Sequence, residues 1–196
     1  MYVLFEGVDT SGKTTQLQLL SKKFDFIFPT KEPGGTEFGK WAREILLNGK
    51  LTSKEAEVLL FLADRAEHYQ KIVKPNRKEK LVISDRGFIS GIAYAIVNGN
   101  YDFKELLNLN LFALQNEPPE LVIFFEIDEN TLKKRLNTKE KDEIEKRGVK
   151  FILEVQDKMK DILKKLNLEY EILDASKSIG EVNSQIFEIL KKRGSL

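Results

Sequence analysis

The sequence has no cysteine, so disulfide bonds and thiolate metal sites are excluded. It has one histidine, His68, which leaves too little imidazole for a histidine metal centre within one chain and one candidate for a histidine-based triad. There is no excess of one charge sign: 32 basic residues face 31 acidic ones. Long-range attraction to nucleic acid or to an anionic membrane is therefore not expected. Long apolar runs are absent too. "VLLFLA" at 58–63 is far short of the ~20 residues that span a bilayer. The start of the chain, "YVLFEG", lacks the basic and apolar regions of a secretory leader. Internal repeats, linkers and low-complexity tails are missing as well. The expectation is one cytoplasmic domain over residues 1–196, with neither nucleic acid nor membrane as a partner.

What is present is an alternation of short apolar segments with amphipathic ones. "YVLFE" (2–6), "FDFIF" (24–28), "KLVIS" (80–84), "ELVIFFEI" (120–127) and "EYEILDA" (169–175) read as strands. Helices are expected from about 13 to 23 and over 37–48, 53–73, 88–98, 102–116, 149–166 and 178–193, with a capping box from Thr52 to Glu55 opening the third. Strands alternating with helices imply an α/β fold whose parallel sheet is covered on both faces. The charged stretch 133–147 is expected to be a mobile lid.

Between the first strand and the first helix lies Gly7-Val8-Asp9-Thr10-Ser11-Gly12-Lys13-Thr14-Thr15, which fits G-x-x-x-x-G-K-[ST]. Gly7 permits a sharp exit from the strand, and Gly12 lets the backbone approach an anion. Successive N–H groups then face inward at a helix N-terminus, where negative charge is favoured. Lys13 can reach the β- and γ-phosphates of a nucleoside triphosphate, and the Thr14 hydroxyl can ligate Mg²⁺. No N-K-x-D guanine motif follows, so a switch GTPase is disfavoured, and the length suits a small kinase with ATP as donor.

Two further segments suggest an acceptor site. In "LLFLADRAEH" (59–68), Phe61 and Arg65 are four apart and share a helix face. The ring could stack on a base, although by pattern alone an aromatic in "VLLFLA" is more often plain core. The guanidinium only donates, so it suits a pyrimidine 4-carbonyl and not a 4-amino group. In "ISDRGFISG" (83–91), Asp85-Arg86 follows a strand at the edge where open α/β sheets bind ligands. Arg86 could clamp a phosphate, and Asp85 could support Mg²⁺ or cap a helix.

Taken with "FEGVDTSGKTTQ", "TKEPGGTEFG", "SDRGFISGIAYA" and "LDASKSIGEV", these blocks resemble, in order and over nearly the whole chain, the thymidylate kinase family of P-loop nucleoside monophosphate kinases. The resemblance implies a three-layer fold with a five-stranded parallel sheet, a homodimer, and MgATP-dependent phosphorylation of dTMP to dTDP. It implies that Lys13 and Thr14 hold the ATP phosphates and Mg²⁺, with Asp85 in support. By the same likeness Asp9 would accept from the sugar 3′-OH, Arg43 would lie over the acceptor, Phe61 would stack on thymine and Arg65 would bind its O4. Arg86 would bridge phosphoryl groups, and Ser90 and Tyr94 would line the nucleoside pocket.

The chain departs from the family pattern in three places. Thr10 stands where one branch carries a phosphate-loop arginine. The lid run Asp142-Glu143-Ile144-Glu145 has Glu143 where the other branch has arginine, and Lys31 replaces an arginine before "EPGG". Lys133, Lys134, Arg135, Lys139, Lys141, Lys146 and Arg147 remain as lid cations, and Arg135 is the first choice for neutralising the transition state. A deoxynucleoside kinase, a kinase for another monophosphate and a nucleotide-binding regulatory module stay open as alternatives.

Overall fold

The computed structural model describes residues 1–136 and 148–194. Strands β1 (Tyr2–Glu6), β2 (Ile27–Lys31), β3 (Leu81–Asp85), β4 (Leu121–Glu126) and β5 (Tyr170–Asp174) form one sheet in the order β2-β3-β1-β4-β5. All four pairings are parallel. Helices α1 (Lys13–Lys23), α2 (Glu37–Leu47), α3 (Lys54–His68), α4 (Lys74–Asn76), α5 (Phe88–Gly99), α6 (Phe103–Ala113), α7 (Glu129–Leu136), α8 (Val149–Lys165) and α9 (Ile179–Lys192) surround it. This is the expected α/β, P-loop-type architecture in three layers.

The sheet separates two apolar cores, which explains why its inner strands read as unbroken apolar runs. Tyr2 and Leu4 of β1 face one core, completed by Phe88 and Ile92 of α5 and Val155 and Met159 of α8. Val3 and Phe5 face the other, completed by Leu17 and Leu20 of α1 and Ile186 and Leu190 of α9. Period-2 alternation on one strand thus serves two helical layers. Both central strands, β1 and β3, deliver their carboxyl ends to one edge of the sheet, and there the phosphate loop and the Asp85-Arg86 turn emerge side by side.

Most boundaries agree to within a few residues, and the differences at the second strand and the third helix have clear physical causes. The second strand is Ile27–Lys31 and not 24–28, because the Phe24 N–H closes α1 on the Leu20 carbonyl. The rings of Phe24 and Phe187 stack at 6.0 Å, so this aromatic covers α9 and does not enter the sheet. β2 accommodates Pro29 because it lies at the sheet edge. The third helix is capped by Ser53, whose side chain accepts from the Ala56 N–H, and not by Thr52. Its final turn, Tyr69–Val73, widens to π geometry before α4. Of the expected lid, α7 carries Lys133, Lys134 and Arg135. Lys139, Lys141, Glu143, Lys146 and Arg147 lie outside the described residues.

Candidate functional site

The phosphate loop is shaped by backbone conformations that most side chains disfavour. Gly7 has φ 144°, and a Cβ there would stand 2.7 Å from the Phe125 carbonyl oxygen. Gly12, the N-cap of α1, has φ 97°. Thr10 adopts φ 63° without being glycine, a strain of ~1–3 kcal/mol of the kind functional loops carry. Val8 is fully buried, so its side chain fills the core and only its backbone faces the loop. The Lys13 ammonium donates to the Gly7 carbonyl at 2.9 Å, the Val8 carbonyl at 2.8 Å and Ser11 Oγ at 3.3 Å. Burial, and after it the nearby charge of Arg86, pulls this ammonium down to about 8.

Arg86 is the second residue of unusual backbone, at φ 73°. Its Nη1 donates to the Gly7 carbonyl at 2.8 Å and to Ser90 Oγ at 3.2 Å, and its Nη2 lies 2.7 Å from Asp9 Oδ1. The guanidinium also lies over the Tyr94 ring, 5.9 Å from its centre. Burial works against its charge, but Asp9, Tyr94 and Asp85 hold it above its ordinary range. On the other side of the loop the Thr14 hydroxyl donates to the Asp85 carboxylate. Hydroxyl and carboxylate are hard oxygen donors of the type Mg²⁺ takes when phosphates and water complete its shell. The residues present therefore fit that ion.

One pocket gathers the expected acceptor residues. Asp9, Arg86, Ser90 and Tyr94 line the end next to the phosphate loop, and Arg43, Phe61 and Arg65 line the rest. Phe61 is only half-buried, with its ring against this pocket. Arg43 Nη1 donates to the Pro33 carbonyl at 3.1 Å. The Lys31–Gly34 segment borders the same wall, and the Glu32–Pro33 bond is cis.

Arg65 does more than pattern could show. It is 2% exposed, and its Nε donates to Glu32 at 2.8 Å. Its Nη1 donates to Asn110 Oδ1, whose amide is oriented by donating from Nδ2 to the Leu106 carbonyl at 2.7 Å. The second Glu32 oxygen pairs with His68 Nδ1 at 2.8 Å, and His68 Nε2 pairs with Thr30 Oγ1 at 2.7 Å. Although burial opposes it, Arg65 foremost holds the Glu32 carboxyl below its ordinary range. Asp64, tucked beneath Gly34 and Gly39, is pushed up to about 6 by burial and then by the charge of Glu32. The guanidinium edge stays open toward the pocket because residue 91 is glycine. A Cβ there would come within 3.3 Å of Nη1 and 3.4 Å of Nη2.

A second pocket opens on the opposite side of the loop. Thr10, Ser11, Gly12 and Thr15 form its floor, and Arg135, Lys177 and Ile179 form its walls. Arg135 lies here, where its guanidinium donates to the Thr10 carbonyl of the phosphate loop at 3.0 Å and to the Ala175 carbonyl at 2.9 Å.

Sequence reasoning passed over Glu6, Glu32 and Asn110, and met His68 only as the lone histidine. Its available signal was an acid ending an apolar strand in "YVLFEG", since a buried carboxylate must find partners. His68 and Asn110 carried none, because their partners are distant in sequence.

The thymidylate kinase family model matches residues 5–186. A thymidylate kinase of Sulfurovum sp. (strain NBC37-1) is 53% identical over 191 residues, covering 97% of this chain and all of that one. One from Campylobacter concisus (strain 13826) is 51% identical over 189 residues, 95% of this chain and 96% of the relative. The crystal structure of thymidylate kinase from Ehrlichia chaffeensis superposes with a TM-score of 0.78 at 28% identity, covering 97% and 98% of the two chains.

Proposed function

The chain belongs to the thymidylate kinase family and phosphorylates dTMP to dTDP at the expense of ATP, and we propose that it does so across the phosphate loop, between its two pockets. The observation that carries this reading is the meeting of Asp9, Arg43, Phe61, Arg65, Arg86, Ser90 and Tyr94 around one cavity beside Lys13. In that cavity thymine stacks on Phe61, and the open edge of Arg65 donates to O4. Asp9 accepts from the 3′-OH, and Arg43 and Tyr94 close over the sugar and phosphate. The second pocket takes the ATP base, with Arg135 and Lys177 as its walls. We therefore assign Arg135 to donor binding and not to neutralising the transition state.

The phosphoryl acceptor is a phosphate oxygen, largely dianionic at neutral pH because a phosphate monoester has its second pKa near ~6. No general base is needed, and no histidine lies at the phosphates. Rate comes from alignment and charge neutralisation. The Gly7–Thr15 backbone and Lys13 hold the donor phosphates, and Arg86 reaches both phosphoryl groups from its anchor on Gly7 and Asp9. Thr14 and Asp85 would hold Mg²⁺, which would offset charge on the donor phosphates.

We further infer a cytoplasmic homodimer. Among the described residues no helix is long and apolar enough to cross a membrane. Trp41 of α2, Leu59 of α3 and Phe112 of α6 are 56%, 60% and 81% exposed on helices in contact, α2 with α3 and α3 with α6. Such a surface suits a second copy of the chain.

A coupled assay of ADP release tests the assignment. Release should require dTMP, and thymidine should not replace it, because a neutral hydroxyl acceptor finds Asp9 already paired with Arg86. Equal turnover with thymidine overturns the reading.

A further inference from the structure

Glu6 is fully buried, ends the central strand β1 and takes no part in the chemistry above. Its Oε1 accepts from the Ser90 backbone N–H at 3.2 Å, and its Oε2 accepts from the Ser90 hydroxyl. Ser90 lies in the first turn of α5, whose N-cap, Gly87, offers no side chain. The helix is thus capped from a neighbouring strand. A local serine or aspartate would serve that purpose without burying a charge, which is costly to desolvate.

The Ser90 hydroxyl also faces the other way. While donating to Glu6, it accepts from Arg86 Nη1 at 3.2 Å. The same Nη1 donates to the Gly7 carbonyl, one residue beyond Glu6. Arg86 follows β3 in a left-handed conformation, φ 73°, with its backbone N–H donating to the Phe5 carbonyl of β1 at 2.9 Å and its carbonyl accepting from Ser84 Oγ at 2.8 Å, which leaves the long side chain to be placed separately. Its side chain takes its place from Gly7, Asp9 and Ser90. Asp9 has a competing task at the acceptor sugar, whereas Glu6 is shut away from both pockets. Burial pushes the Glu6 carboxyl up, and the bonds from Ser90 and the charge of Arg86 oppose this.

We propose that Glu6 is a positioning residue for phosphoryl transfer, fixing the Ser90 hydroxyl and through it the Arg86 guanidinium against the phosphate loop. The inference rests on the proposed role of Arg86 at the phosphates.

Steady-state kinetics in both nucleotides, with thermal midpoints, tests it on Glu6→Ala, Glu6→Gln, Ser90→Ala, the double alanine variant and Arg86→Ala. Ser90→Ala keeps the backbone bond that caps α5, so it severs the link while the fold stands. Glu6→Ala and Ser90→Ala should each lower kcat by about tenfold, with KM for ATP within about threefold, as expected for a group acting in the transition state. The double variant should be no worse than the weaker single one, the mark of residues acting through one contact. Glu6→Gln can still bond Ser90 and should regain at least about fivefold over Glu6→Ala, because geometry and not charge is what it supplies. The guanidinium ¹⁵N–H signals of Arg86 should exchange faster in Ser90→Ala.

Parental kcat in Ser90→Ala, additive losses in the double variant, no recovery with glutamine, or a loss confined to KM for dTMP would each overturn the proposal. Should Arg86→Ala itself leave kcat unchanged, the role given to Arg86 falls first. A loss there with intact Glu6 and Ser90 variants sinks only the present inference.

Discussion

At the scale of the residue, the site depends on charges buried before any nucleotide arrives. Lys13 is the clearest case, with its ammonium pulled down to about 8 by burial and by Arg86. Below that pH it is charged and ready for phosphate; above it the free enzyme loses the charge. The logarithm of kcat/KM for ATP should therefore be level up to about pH 8 and fall beyond it, toward tenfold per unit. A profile flat to pH 9.5 would show that the ammonium is not depressed. Lys13→Ala should abolish transfer with the fold intact, because the side chain contacts loop carbonyls and not the cores.

Arg65 differs, because it is paired inside the protein as well as open to the pocket. Arg65→Ala leaves Glu32 buried without its strongest partner, at a cost of roughly 3–5 kcal/mol. It should lower the denaturation midpoint and raise KM for dTMP, while KM for ATP stays nearly constant. An unchanged midpoint would show the Glu32 pair to be idle. The pair also has a pH signature. Since Arg65 holds Glu32 below its ordinary 4.5, its stabilisation is full above that value and is lost as pH falls below it.

At the scale of the element, caps and turns decide what the neighbouring side chains can reach. Ser53 accepts from the Ala56 N–H, so Ser53→Ala should cost about 1 kcal/mol by chemical denaturation, and Thr52→Ala close to nothing. The reverse ranking would return the helix start to Thr52. This one-residue ambiguity illustrates what was legible in the sequence. Long periodic segments such as 149–166, and the apolar runs of β1, β3 and β4, stood out because each is buried along a continuous face. β2 was misplaced by three residues because Phe24 and Phe26 mimic strand alternation while stacking outside the sheet. The phosphate loop was legible because its spacing is dictated by an anion and a helix start. The chain Thr30–His68–Glu32–Arg65–Asn110 was not, because it draws on β2, the following loop, α3 and α6, and only folding brings these together. The two carbonyls that hold Arg135, of Thr10 and Ala175, were likewise hidden, because they lie 125 and 40 residues away in sequence.

At the scale of the whole molecule, α2, α3 and α6 each leave a large apolar side chain exposed, Trp41, Leu59 and Phe112. If the proposed dimer forms through these side chains, Phe112→Asp combined with Leu59→Asp should yield a monomer in sedimentation, since charge within an apolar contact is desolvated without a partner. A parent chain that sediments as a monomer would refute the assembly itself. The strand order has a different consequence. β2 and β3 carry the acceptor cavity, β4 and β5 flank the donor cavity, and consecutive residues, Asp9 and Thr10, line opposite ones. Neither nucleotide must pass through the other's chamber to enter or leave. In the language of turnover, binding has no compulsory sequence: initial-velocity plots should intersect, and each product should inhibit noncompetitively or competitively according only to the chamber it occupies. Isotope exchange between ATP and ADP should then persist when dTMP and dTDP are raised together to saturation, whereas its suppression would reveal a compulsory order.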